Sequence, residues 1–152
     1  MFNLKIFFMV SRGVRNCNPG NIRLTNGLTF VGQVSKSSDK SFKQFVSMTY
    51  GVRALMKLLE TYYLKYHLTT VSAIISRYAP SVENRTDDYI NFVCRYMHTK
   101  PSTGLRLYIK LDLFPLVETI CPDLFPLVEA ICKYESGYVP TESMLIDAFL
   151  KL

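Results

Sequence analysis

Between Ser47 and His67 the apolar side chains Val52, Leu55, Met56, Leu59, Tyr62, Tyr63 and Tyr66 recur at three- and four-residue spacing. That period belongs to one face of a helix. Leu58 and Leu64 widen the stripe, which predicts that this helix lies at the centre of the molecule. A second helix is expected over 68–78, with Thr69 or Thr70 as N-cap and Val71, Ile74, Ile75 and Tyr78 on one face. Ala79-Pro80 ends it, because the residue before Pro is pushed out of the α region. A third begins at Thr86, with Asp87 and Asp88 in a first turn whose dipole favours negative charge, and with Ile90, Val93, Cys94 and Met97 buried. Asn26-Gly27, between Ile22-Arg23-Leu24 and Leu28-Thr29-Phe30-Val31, is the signal of a two-residue hairpin turn. The expected fold class is therefore mainly α with a small β-hairpin.

The chain closes with a helix capped at Thr141. Gly137 fits the position just beyond the end of the helix before it, which puts Glu135 in that helix's final turn. A carboxylate there opposes the helix dipole, a conflict that raises its pKa and tends to mark a functional site. His67 and His98 fall near helix ends and read as polar caps.

Asp112-Leu-Phe-Pro-Leu-Val-Glu-Thr-Ile-Cys121 returns almost unchanged as Asp123-Leu-Phe-Pro-Leu-Val-Glu-Ala-Ile-Cys132, at a period of 11. Eleven residues are about three helical turns, so the duplication keeps one face inward. Each copy is read as a short helix with Asp as N-cap and Pro in the first turn. Two copies are too few for a solenoid, and one is taken as a local duplication that lengthens a connection.

The 152 residues fit a single domain able to bury a core, and the 49% hydrophobic content argues against disorder. Within it, 1–11 form an N-terminal extension, 112–132 the tandem repeat, and 133–152 a C-terminal segment that carries Glu135. The net charge of +6 is uneven: residues 1–66 carry +8 and the remainder −2. Nucleic acid, anionic wall glycans and membrane headgroups all suit such a charge, and so does a solvated basic surface without a partner. No helix-turn-helix or RNP-type pattern supports nucleic acid. The apolar stretch Met1–Val10 runs into Ser11-Arg12 without a small-residue cleavage site, so neither a signal peptide nor a membrane span is expected. Cys17, Cys94, Cys121 and Cys132 show no metal-ligand spacing or disulfide framework. Metal binding is not expected and no cofactor is implied.

Residues 12–23, Arg-Gly-Val-Arg-Asn-Cys-Asn-Pro-Gly-Asn-Ile-Arg, pack turn chemistry, amides and fixed positive charge into one segment. Asn18-Pro19-Gly20 is a turn signal. Asn16, Asn18 and Asn21 offer donors and acceptors, and Arg12, Arg15 and Arg23 offer planar cationic forks. The segment reads either as a binding loop or as a self-satisfied Asx-turn.

Arg12-Gly-Val-Arg-Asn-x-Asn-Pro-Gly-Asn-Ile22, Phe42-x-x-Phe45, Tyr50-Gly-Val-Arg-Ala54 and Tyr78-Ala-Pro-x-x-Glu-Asn-x-Thr-x-x-Tyr89 together resemble a family of small bacteriophage proteins. That family is identified as virion structural or virion-associated lytic proteins, and the likeness covers roughly residues 12–98, the family-like core. A more distant resemblance is to cell-wall glucosaminidases and lytic transglycosylases of the lysozyme-like α+β class. There a helix ends in a catalytic Glu followed by Ser-Gly, and an Asn-rich loop and a Phe-x-x-Tyr segment come later. Here 16–22 is similar to the Asn-rich loop and 42–47 to the later segment, while Ile131-Cys-Lys-Tyr-Glu-Ser-Gly137 resembles the helix end. The order is circularly permuted, which the closeness of domain termini permits.

What the resemblance implies is a phage-encoded protein, carried in the virion among other virion proteins, that cleaves peptidoglycan of the host wall or periplasm. Glycosidic cleavage needs a positioned carboxylic acid, typically contributing about 10²- to 10⁴-fold. Glu135 is the candidate acid. A hydrolase adds a second carboxylate roughly 5 to 9.5 Å away, for which Glu83 is the candidate; it also reads, and more readily, as a helix N-terminal carboxylate beside Thr86. A lytic transglycosylase manages with one acid and an intramolecular sugar hydroxyl. Arg15, Asn16, Asn18, Asn21, Asn84 and Ser136 are candidate substrate contacts, with Tyr78, Tyr89 and Tyr138 as sugar-stacking rings; aromatics at helical spacing also read as core. Two other functions are compatible: a non-enzymatic virion or wall-binding module, and a nucleic-acid-binding protein resting on the +8 half alone.

Overall fold

The computed structural model describes residues 10–25, 28–81, 85–108 and 121–152. Six α-helices are found among them: α1 (Arg12–Arg15), α2 (Met48–Glu60), α3 (Val71–Tyr78), α4 (Thr86–Tyr96), α5 (Leu124–Ser136) and α6 (Glu142–Leu150). The architecture is mainly α. No helix among the described residues is long and apolar enough to cross a membrane.

α2 is the central element, as its period predicts: Val52, Ala54, Leu55, Met56 and Leu59 are fully buried. Ser47 caps it, accepting from the Tyr50 N–H. At its C-terminal end the helix widens into a π-turn over Thr61–Lys65, and His67 then turns the chain in the left-handed region at φ 55°. Thr70 is the N-cap of α3, accepting from Ala73 N–H, and the helix stops at Ala79 before Pro80. The Thr86 hydroxyl donates to the Ala79 carbonyl at 2.7 Å, which ties the start of α4 to the end of α3. α6 packs along α2, α3 against α4, and α5 against α4, α2 and α1. Arg53, buried on α2, donates to the Lys151 carbonyl at 2.6 Å and so holds the end of α6.

The second copy of the repeat lies in α5, with Leu124, Leu127, Val128 and Ile131 buried. Asp123 does not cap this helix. Its carboxylate accepts instead from the Arg106 N–H at 2.7 Å, joining the chain ahead of the first copy to the start of the second. The first copy lies outside the described residues, apart from Cys121.

The hairpin expected around Asn26-Gly27 is not formed among the described residues, which contain isolated bridges and no strand; the turn itself falls outside them. Ile22-Arg23-Leu24 meets Ser41-Phe42-Lys43 rather than 28–31: Leu24 N–H donates to Ser41 O and Lys43 N–H to Ile22 O, each at 2.9 Å. Two local competitors explain the change. The Asn18 side chain takes up both backbone groups of Ile22, accepting from its N–H and donating to its carbonyl, both at 2.9 Å, and it also donates to the Lys43 carbonyl. Residues 30–33 fold into a turn of their own, with Gln33 N–H on Phe30 O. Lys43 is buried with its ammonium on Leu28 O at 2.7 Å and Gln33 Oε1 at 3.1 Å.

Candidate functional site

The opening segment is a scaffold before it is a surface. Asp39 gathers it: the carboxylate accepts two hydrogen bonds from the Arg12 guanidinium at 2.6 and 2.7 Å, one from Asn16 Nδ2 at 2.8 Å, and backbone N–H bonds from Ser41 and Phe42. Arg12 above all, then Asn16 and the backbone donors, hold the Asp39 carboxyl far below the usual carboxylate range. Close approaches fix the rest. A Cβ at Gly51 would overlap the Cys17 carbonyl oxygen, so α2 runs directly against the loop there. A Cβ at Gly13 would lie 2.7 Å from Cβ of Ser136, which brings α1 against the end of α5.

That second approach places Glu135. Asn21, in the left-handed region at φ 50°, donates through Nδ2 to the Glu135 carbonyl at 2.9 Å and to its carboxylate Oε2 at 3.3 Å. Asn tolerates this backbone region better than most residues. Ser11 Oγ adds a bond to the Ser136 carbonyl at 2.8 Å. Gly137 ends α5 at φ 72° with its N–H on Lys133 O, as its position predicts.

Glu135 lies in the wall of a cleft of about 370 Å³, together with Asn21, Arg23, Tyr62, Arg77 and Tyr78. Burial raises the Glu135 pKa above its ordinary value; Asn21, the Tyr89 hydroxyl and the charge of Arg23 pull it back only in part. The leading cause is thus desolvation rather than the helix dipole. Beneath the carboxyl, Tyr89 is buried and stacked on Tyr134 at 3.7 Å between ring centroids. Its hydroxyl faces Glu135, and neither this oxygen nor Asn21 Oδ1 has a hydrogen-bond partner among the described residues, although both are buried. Tyr78 lines the cleft and donates to the Gly20 carbonyl. Burial keeps both phenols neutral, with pKa values well above normal.

Of the residues singled out in the sequence, the structure brings together Glu135, Asn21, Tyr78 and, below them, Tyr89. Asn18 is fully buried and spends its amide on Ile22 and Lys43 backbone groups, so it cannot reach a ligand. Asn16 is likewise buried, between Asp39 and Gln44. Arg15 is exposed on α1 and does not line the cleft. Ser136 points its hydroxyl at the Cys132 carbonyl, and Tyr138 directs its own to the Met144 sulfur. Glu83 and Asn84 lie outside the described residues. Sequence reasoning missed Arg77 and Tyr62. Their signal was present, since Tyr62 belongs to the long helical stripe and Arg77 precedes Tyr78, but nothing in either pattern says that a cleft opens between the two helices.

No protein-family profile matches the chain. It resembles a bacteriophage protein. Over 85 residues it is 41% identical to Protein P5 of Pseudoalteromonas phage PM2, an overlap that covers 55% of this chain and 53% of that protein. The chain thus spans about half the length of the relative it matches.

Proposed function

We propose that the chain is a virion-borne peptidoglycan-cleaving protein in which Glu135 is the general acid, working as a lytic transglycosylase. The observation that carries this reading is the joining of Glu135 to Asn21 in one cleft wall, with burial holding the carboxyl toward its protonated form. Similarity to a phage protein supports a phage origin. A lysozyme-like arrangement in permuted order accounts for the acid arriving from the far end of the chain.

The chemistry needs one proton donor. Glu135 gives its carboxyl proton to the glycosidic oxygen as the bond from that oxygen to the anomeric carbon breaks. A hydroxyl of the same sugar then attacks the anomeric carbon, and its proton returns to the Glu135 carboxylate. Asn21 holds the carboxyl in place through both steps, with the Tyr89 hydroxyl facing it. Asp39, the acid bound to the opening segment, is committed to Arg12 and Asn16 and is no candidate for a second catalytic carboxylate.

Incubation of purified protein with bacterial sacculi tests the reading. Soluble fragments that end in an internal anhydro ring, lost in Glu135→Gln, are expected. Fragments with ordinary reducing ends would point to a hydrolase with a second carboxylate. No release at all, with sacculi retained in a pull-down, would favour a wall-binding module without catalysis.

A further inference from the structure

Two guanidinium groups line the cleft, and they are differently employed. Arg23 lies 5.2 Å from the Phe42 ring centroid and acts on Glu135, whose charged form it favours. Arg77 sits in the last turn of α3. It lies 3.9 Å over the ring of Tyr66 and 5.3 Å from that of Tyr62. No carboxylate among the described residues pairs with it. Stacking occupies the faces of the guanidinium and one N–H serves the Tyr62 hydroxyl, which leaves the remaining donors of a planar fork that matches a carboxylate. A cation fixed in this way, beside a cleft whose one carboxyl among the described residues, Glu135, leans toward the neutral form, is complementary to an anionic ligand rather than to a neutral one.

We propose that Arg77 is the residue by which this cleft selects glycans that carry a carboxylate over neutral N-acetylated glycans. The inference rests on the glycan-cleaving reading for the identity of the site. In peptidoglycan the carboxylate has two sources, the lactyl group of the sugar and the stem peptide, and the same fork suits either. Tyr62 and Tyr66 set the height and tilt of the fork, so Lys at position 77 keeps the charge but loses the geometry.

The test is a binding titration with Glu135→Gln protein, which holds substrate without turning it over. Three ligands are compared: a neutral N-acetylglucosamine tetramer, peptide-free glycan strands with free lactyl carboxylates, and strands bearing stem peptides. At least a tenfold preference for a carboxylate-bearing strand is expected, removed by Arg77→Met and reduced by Arg77→Lys, with affinity for the neutral tetramer unchanged. Which of the two charged strands is favoured identifies the source of the carboxylate. Arg77 is exposed, so the variants are expected to keep the parent's circular dichroism and melting temperature. Equal affinity for all three ligands, or a preference that survives in Arg77→Met, overturns the role of Arg77 while leaving cleavage intact. Absence of any glycan binding, together with uncleaved sacculi, overturns both this inference and the reading beneath it.

Discussion

Glu135 carries a cost that its surroundings do not fully offset, and that cost has a pH signature. Its folded pKa is raised above the ordinary 4.5, so in the interval above that value the folded state keeps a proton that the unfolded state has released. Stability contributed by this group is complete below about pH 4.5 and declines as pH rises through the folded value. Glu135→Gln has nothing to titrate. Urea midpoints measured over a pH series are therefore expected to show the variant gaining on the parent as pH rises from about 4.5, then holding a constant lead. A constant difference at every pH would mean that Glu135 is not desolvated. The asparagines show how little of such detail residue type reveals. Asn16, Asn18 and Asn21 look alike in the sequence, yet Asn18 is consumed by the backbone of Ile22 and Lys43, and Asn16 by Asp39 and Gln44. A buried turn must satisfy its own polar groups first, and only Asn21 reaches the cleft.

At the level of elements, helices were legible where a long period, a capping side chain and a stop signal agreed. Thr70, one of the two threonines offered as a cap, and Thr141 cap as expected, and Ala79-Pro80 and Gly137 end their helices. The β reading failed because Asn26-Gly27 specifies a turn but not the register of its flanks, and the Asn18 side chain and the pairing with 41–43 claimed Ile22–Leu24 instead. Gly51 marks the most demanding contact between elements. In a helix interior Gly→Ala ordinarily gains about 1 kcal/mol, but here the added methyl meets the Cys17 carbonyl, a backbone group that cannot swing aside. Overpacking wins, and Gly51→Ala is expected to lose at least about 2 kcal/mol in chemical denaturation. A stabilised variant would show that the loop does not sit against α2.

For the molecule as a whole, the duplication is an addition at a point where the chain has already closed. Arg106 bonds to Asp123, so the flanks of the extra segment meet. Removal of residues 109–119, one period of the repeat with Cys121 kept, is expected to change stability by no more than about 1 kcal/mol, because loop-closure entropy varies slowly with length. Thermal melting and sacculus digestion of the shortened chain test this; an unfolded product would give the first copy a structural duty of its own.

The bond between Asn21 and Glu135 spans 114 residues. A ribosome delivers Asn21 well before Glu135, so the part of the cleft wall that the two share is assembled only after residue 135 has been made. A chain that stops short of residue 135 lacks that part of the wall.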